Sequence, residues 1–289
     1  GTCQMTVIYR DMDQEAVDRG YNARATVENV QVFLAEYASR SAVARETLDC
    51  LEDVAYGEHP DEVIDIFPAG PNAPIFIFVH GGYWRALSQK DSASMAPGLV
   101  ANGVSLVTVN YSLAPGASLD LITRQCRSAL AWVWNNATSF GGDRDRVFVG
   151  GSSAGGHLTG MLVAGGWHDA CGVPEDVVKG AVPLSGLYEL EPIRLSHINE
   201  WIKLDPISVE RNSPQRHLPA NGCPMVVSYG ETETSEFKRQ SSDYAEAWRA
   251  NGWDCDLFET AGRNHFDIIF DLDNSETRLG RAVLDLIGV

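Results

Sequence analysis

Gly151-Ser152-Ser153-Ala154-Gly155 fits the pattern G-x-S-x-G, in which a serine on a tight strand-to-helix turn presents its hydroxyl as a nucleophile. The string alone is weak, because a serine at such a turn can simply cap the helix that follows. Its surroundings carry the weight. Val147-Phe148-Val149 precedes it as an apolar strand, and His157, Leu158, Met161 and Leu162 follow as a helix. Small residues at Gly151 and Gly155 let the turn close. Ser152 can act as a cap; Ser153 holds the nucleophile position.

A serine hydroxyl needs a base, and the base needs an acid to orient it. Enzymes with this elbow carry serine, carboxylate and histidine in that chain order. Of seven histidines, His59 and His80 precede Ser153, and His157 lies on the elbow helix. His168, His197 and His217 come before the strand expected at Pro224 to Tyr229, at whose end the acid belongs. His265 remains, in the loop Ala261-Gly262-Arg263-Asn264-His265. The acid segment reads Gly230-Glu231-Thr232-Glu233-Thr234-Ser235-Glu236, without an Asp. Glu233 falls in the loop and is the expected acid, with Glu231 its rival. Glu236 falls in the first turn of the next helix, where a carboxylate complements the helix dipole.

His80-Gly81-Gly82-Tyr83-Trp84 directly follows the apolar run Ile75 to Val79. This loop is placed to offer backbone N–H groups to a tetrahedral oxyanion, and its glycines let the backbone approach the reacting carbonyl. His80 suits a structural hydrogen bond better than the role of base. Trp84 reads equally as packing or as pocket wall.

These residues need a sheet to hold them. Val63 to Phe67 alternates apolar and polar, as a half-buried strand does, whereas Ile75 to Val79 is apolar throughout, as a strand covered on both faces is. Leu106 to Val109, Val147 to Val149, Gly180 to Leu184, Pro224 to Tyr229 and Asp254 to Glu259 continue the strands. Helical patterns cover Asp91 to Val100, Leu121 to Trp134, Phe237 to Ala250 and Arg278 to Ile287. This alternation predicts an α/β fold: a mostly parallel sheet, right-handed crossovers and helices on both faces. A single domain over residues 1–289 is expected. Residues 1–50 read as a helical N-terminal extension, clearest at Thr26 to Ser39. Residues 187–220, with Pro192, Pro206, Pro214 and Pro219, read as a cap or lid over the site.

Composition narrows the partners. In 289 residues, 22 Lys and Arg face 39 Asp and Glu, a net charge of −17, and 44% are hydrophobic. That content supports a packed core. The charge excludes nucleic acid and an anionic membrane surface as partners. It mildly disfavours a strongly anionic substrate, although a local pocket can override it. Arg10, Asp11, Asp13 and Glu15 stand where a signal peptide would be apolar, and no run approaches the ~20 residues of a spanning helix. The six cysteines, Cys3, Cys50, Cys126, Cys171, Cys223 and Cys255, form no C-x-x-C pair; they read as reduced thiols in the cytoplasm.

Taken together, the motifs resemble the kynurenine formamidase (arylformamidase) family of α/β-hydrolases. His80-Gly81-Gly82-Tyr83-Trp84 is similar to its HGGxW motif. Tyr21-Asn22-Ala23-Arg24, Asn110-Tyr111-Ser112-Leu113-Ala114-Pro115, Ser185-Gly186-Leu187-Tyr188-Glu189-Leu190 and Glu236-Phe237-Lys238-Arg239-Gln240-Ser241 also match. The likeness spans residue 20 or so to the end. It implies an α/β-hydrolase fold with a small cap, and hydrolysis of an aryl formamide such as N-formylkynurenine through an acyl-enzyme. A general carboxylesterase acting on short-chain or aryl esters is the alternative. A non-catalytic receptor on this fold is disfavoured by the presence of both Ser153 and His265. The resemblance assigns the oxyanion donors to the amides of Gly82, Tyr83 and Ala154, and the acid to Glu233, where the family often has Asp. Ser152 replaces the histidine that the family often carries before its nucleophile. No cofactor and no metal are called for. The expected partner is a small-molecule substrate, and a homodimer is compatible with the sequence. At least one of Trp84 and Tyr188 is expected to touch an aromatic substrate.

Overall fold

Ile75, Ile77 and Val79 pack into one apolar core, while Phe76 and Phe78 pack into another on the opposite face. The strand they form is therefore covered on both sides, as its uniform apolarity predicts. The structure is a computed structural model and describes residues 5–289; Cys3 lies outside them.

Among the described residues eight strands make one sheet: β1 Leu51–Ala55, β2 Val63–Phe67, β3 Ala73–Val79, β4 Ser105–Val109, β5 Gly142–Ser152, β6 Val178–Leu184, β7 Met225–Gly230 and β8 Cys255–Thr260. Their order is β1-β2-β4-β3-β5-β6-β7-β8. The β1/β2 and β2/β4 pairs are antiparallel, and all others are parallel. Ile77 sits between Val107 and Val149 at the centre. The expected fold class thus holds, with one strand added. The sequence of β1, Leu-Glu-Asp-Val-Ala, gives no apolar signal because this edge strand is mostly exposed.

The first helices are α1 Gln14–Gly20, α2 Val30–Thr47 and α3 Ala96–Ala101. Then come α4 Leu119–Asn136, α5 Ala154–Val163 and α6 His168–Cys171. The expected cap segment holds α7 Glu191–Leu195, α8 Asn199–Ile202 and α9 Pro206–Asn212. Finally α10 Ser235–Arg249 and α11 Arg278–Ile287 follow the last two strands. Buried residues of α4, α5 and α10 join the core on one face of the sheet, and those of α2, α3 and α11 join the other. Among the described residues no helix is long and apolar enough to cross a membrane.

Two local expectations need correction. β2 is not half-buried: residues 64–67 are all buried, because β1 and β4 flank the strand and both its faces are covered. Asp65, whose polarity suggested a solvent face, is fully buried. Lys90 Nζ donates to its Oδ2 at 2.8 Å, and the Asp53 amide to its Oδ1 at 2.8 Å. The helix expected from Asp91 to Val100 is shorter. A 3₁₀ turn occupies Gln89–Asp91, and α3 starts only at Ala96, with Pro97 in its first turn. Proline fits that position but not a helix interior.

Candidate active site

β5 ends at Ser152, α5 begins at Ala154, and Ser153 between them has φ 60° and ψ −117°. Such a conformation costs a non-glycine residue on the order of 1–3 kcal/mol. The turn is held by the Ser153 amide donating to Leu184 O at 2.9 Å and the His157 amide donating to Ser153 O at 3.1 Å. Close approach requires glycine on both sides. A Cβ on Gly155 would lie 1.9 Å from Val79 O, and one on Gly151 would lie 2.2 Å from Gly155 O.

The His265 loop after β8 brings its imidazole to the elbow. His265 Nε2 lies 2.9 Å from Ser153 Oγ, and Nδ1 lies 2.5 Å from Glu233 Oε1. With Nδ1–H donating to the carboxylate, Nε2 is free to accept the serine proton. The second oxygen of Glu233 accepts from Ser185 Oγ and from the Gly230 amide, each at 2.5 Å. All three residues are buried. The rival carboxylates lie elsewhere. Glu231 is exposed and accepts from the Gly262 amide at 3.3 Å. Glu236 accepts from Tyr21 Oη at 2.7 Å and pairs with Arg239 at 2.8 Å. Thr234 caps α10 by accepting from the Phe237 amide, which leaves Glu233 in the turn between β7 and the helix. Ser185, with φ 48°, is a partner of the acid that spacing could not reveal.

The 80–84 loop runs beside the elbow, and a Cβ on Gly81 would meet Ser153 Cβ at 3.2 Å. Gly82, Tyr83 and Trp84 have φ 108°, 51° and 63°. Their carbonyls are all engaged: Gly82 O by the Arg85 amide at 3.0 Å, Tyr83 O by Trp201 Nε1 at 2.9 Å, Trp84 O by the Ala114 amide at 2.8 Å. The amides of Gly82, Tyr83 and Ala154 donate to no acceptor among the described residues. A loop pinned through its carbonyls leaves its N–H groups available to an incoming oxyanion. His80 is buried, stacked 4.1 Å from Tyr111, with Nδ1 donating to Gly81 O at 2.7 Å. Burial pushes its pKa down to about 4, so it serves the loop as a neutral, structural group.

A pocket opens above Ser153 and His265. Tyr83 lines it, and burial keeps its phenol protonated. Trp84 and Tyr188 do not line it, which overturns the expectation that one of them touches substrate. Trp84 is fully buried, and its Nε1 donates to His157 Nδ1 at 3.2 Å. Tyr188 is fully buried and stacks on Tyr244 at 4.1 Å. Both aromatic rings serve the core. The aromatic walls come instead from Tyr21, Tyr37, Trp201 and Phe266. Two of these belong to the N-terminal segment, which with Arg24, Val30 and Leu34 forms one side of the pocket. From residues 187–220, His197, Ile198 and Trp201 reach it. The one available signal for the N-terminal wall was the motif Tyr21-Asn22-Ala23-Arg24, whose residues touch the site while distant from it in sequence.

The chain is similar to known proteins over most of its length. The family model BD-FAE matches residues 65–171. A kynurenine formamidase of Danio rerio is 31% identical over 267 residues, covering 90% of this chain and 89% of its own. One of Salmo salar is 30% identical over 298 residues, covering 97% and 98%. Among solved structures, a Silicibacter protein provisionally described as a thioesterase superposes with a TM-score of 0.80 at 27% identity, covering 91% of this chain and 97% of its own.

Proposed function

The chain belongs to the kynurenine formamidase family of α/β-hydrolases, and we propose that its substrate is an aryl formamide of the N-formylkynurenine kind. It is a hydrolase of formamide or ester substrates. In the proposed reaction Ser153 Oγ attacks the formyl carbon while His265 Nε2 takes its proton. Glu233 holds the imidazole in the accepting tautomer and stabilises its charged form. The amides of Gly82, Tyr83 and Ala154 receive the oxyanion. The tetrahedral intermediate then collapses, and His265 returns the proton to the departing arylamine. Water, deprotonated by His265, attacks the formyl-serine; the second tetrahedral intermediate collapses as His265 returns the proton to Ser153 Oγ, and formate leaves.

The observation that carries this reading is the hydrogen-bonded chain from Ser153 through His265 to Glu233, at 2.9 and 2.5 Å. The same chain would cleave aryl esters, whose phenol leaves with less help from the general acid. The deciding experiment compares kcat/KM on N-formylkynurenine, followed by release of arylamine and formate, with that on phenyl acetate, followed by release of phenol. Efficient formamide turnover that disappears in Ser153→Ala is expected. An enzyme that hydrolyses the ester and leaves the formamide untouched is a carboxylesterase, and the formamide reading then fails.

A further inference from the structure

A chain with 39 acidic and 22 basic residues repels anions as a whole. Many of its guanidinium groups are bound to carboxylates, as Arg216 is to Glu189 and Glu210. Arg24 and Arg85 differ. Both line the pocket that holds Ser153, both are exposed, and neither side chain pairs with an acid among the described residues. Among the described residues no other Lys or Arg lines that pocket, and the one Asp that does, Asp91, already accepts the Ser88 amide at 3.0 Å.

Arg85 is tied to the oxyanion loop. Its amide closes the turn on Gly82 O, and its guanidinium carbon lies 3.4 Å from the centre of the Trp201 ring. Trp201 in turn donates to Tyr83 O. Stacking occupies the face of a guanidinium and leaves its N–H edge free for two parallel bonds to a carboxylate. Arg24 stands in the 3₁₀ turn Ala23–Thr26 of the N-terminal wall. That wall is joined to the same loop, since Tyr83 Oη donates to Tyr21 O.

We propose that Arg85, assisted by Arg24, binds a carboxylate carried by the leaving group of the substrate. The pocket thus selects anionic amides or esters against the net charge of the protein. This rests on the hydrolytic reading of Ser153. A formyl group has no room for the carboxylate, so the charge belongs to the arylamine side. A carboxylate held on the loop that supplies the oxyanion donors fixes the scissile carbonyl relative to them, which is where orientation helps most.

Two matched substrate pairs test the proposal. One is N-formylkynurenine and its carboxamide; the other is 3-(4-acetoxyphenyl)propanoate and its propanamide. The native enzyme is expected to prefer the carboxylate member about 10- to 100-fold in kcat/KM, mainly through KM, as for charged hydrogen bonds. That preference should shrink as salt is raised. Arg85→Gln should erase most of it and Arg24→Gln part of it, beyond any loss on the neutral member. Absence of preference in the native enzyme overturns the proposal, as does a preference that survives Arg85→Gln or an equal loss on both members. If the ester pair is cleaved and the formamide pair is not, the formamide reading falls, and the ester pair still decides the role of the arginines.

Discussion

At the scale of single residues, function and packing separate cleanly. Ser153→Ala should leave the fold intact and lower kcat by up to ~10⁶, as removal of a triad serine does; a steady-state assay with a thermal melt checks both. Glu233→Gln should cost about 10⁴, because the amide can favour the wrong imidazole tautomer. Glu231→Gln, exposed and bound to the Gly262 amide, should change little. Ser185 acts through the acid it donates to, so Ser185→Ala should lower kcat roughly 10- to 100-fold, the worth of one bond to a charged group, with KM nearly constant. A KM effect alone would place Ser185 elsewhere in the mechanism. Trp84→Ala should instead appear as lost stability, about 3–5 kcal/mol for a large buried aromatic. Its ring is also the donor to His157, whose Nε2 donates to Asn212 O at 2.8 Å.

At the scale of elements, β2 shows how a buried charge can sit in a sheet. Asp65 is fully buried, and Lys90 reaches it from the 3₁₀ turn that follows the 80–84 loop. Lys90→Met removes the partner and leaves a buried carboxylate, which typically costs about 3–5 kcal/mol. The double variant Lys90→Met with Asp65→Val should recover much of that loss, since neither charge is left alone. Urea denaturation of the two proteins measures the difference. An equal loss in both would show that the ion pair itself, and not the stranded charge, dominates.

At the scale of the whole molecule, two buried histidines contribute to the response to acid. Burial lowers the pKa of His80 and of His157 to about 4, against ~6.5 in an unfolded chain. Between those values the unfolded protein binds protons that the folded protein refuses. The stability these two histidines contribute is therefore full above about pH 6.5 and is lost toward pH 4, by up to about 1.4 kcal/mol per pH unit for each. His157→Gln should lower stability at neutral pH yet flatten the slope between about pH 6 and 4.5, by about one proton. Urea midpoints across that range measure the slope; an unchanged slope would remove His157 from the account.

The sequence by itself determined the hydrolase class and most of the sheet. The G-x-S-x-G turn is encoded locally, because only glycine fits where a Cβ would strike Val79 O and Gly155 O. The apolar strands β3, β4, β6 and β7 announce their burial through their own composition. Chain order reduced seven histidines to His265 and put the acid in a loop with Glu233 and Glu231. Only the tertiary structure brought Glu233, and not its neighbours, to 2.5 Å from His265, since that choice depends on how the turn after β7 meets the loop after β8. The pocket wall was likewise out of reach. Burial of Trp84 and Tyr188, the approach of Tyr21 and Arg24 to Ser153, and the stacking of Arg85 on Trp201 are contacts between segments far apart in the chain. Hydrophobic periodicity shows that a side chain will be buried; which cavity or core receives it is fixed only when the elements pack.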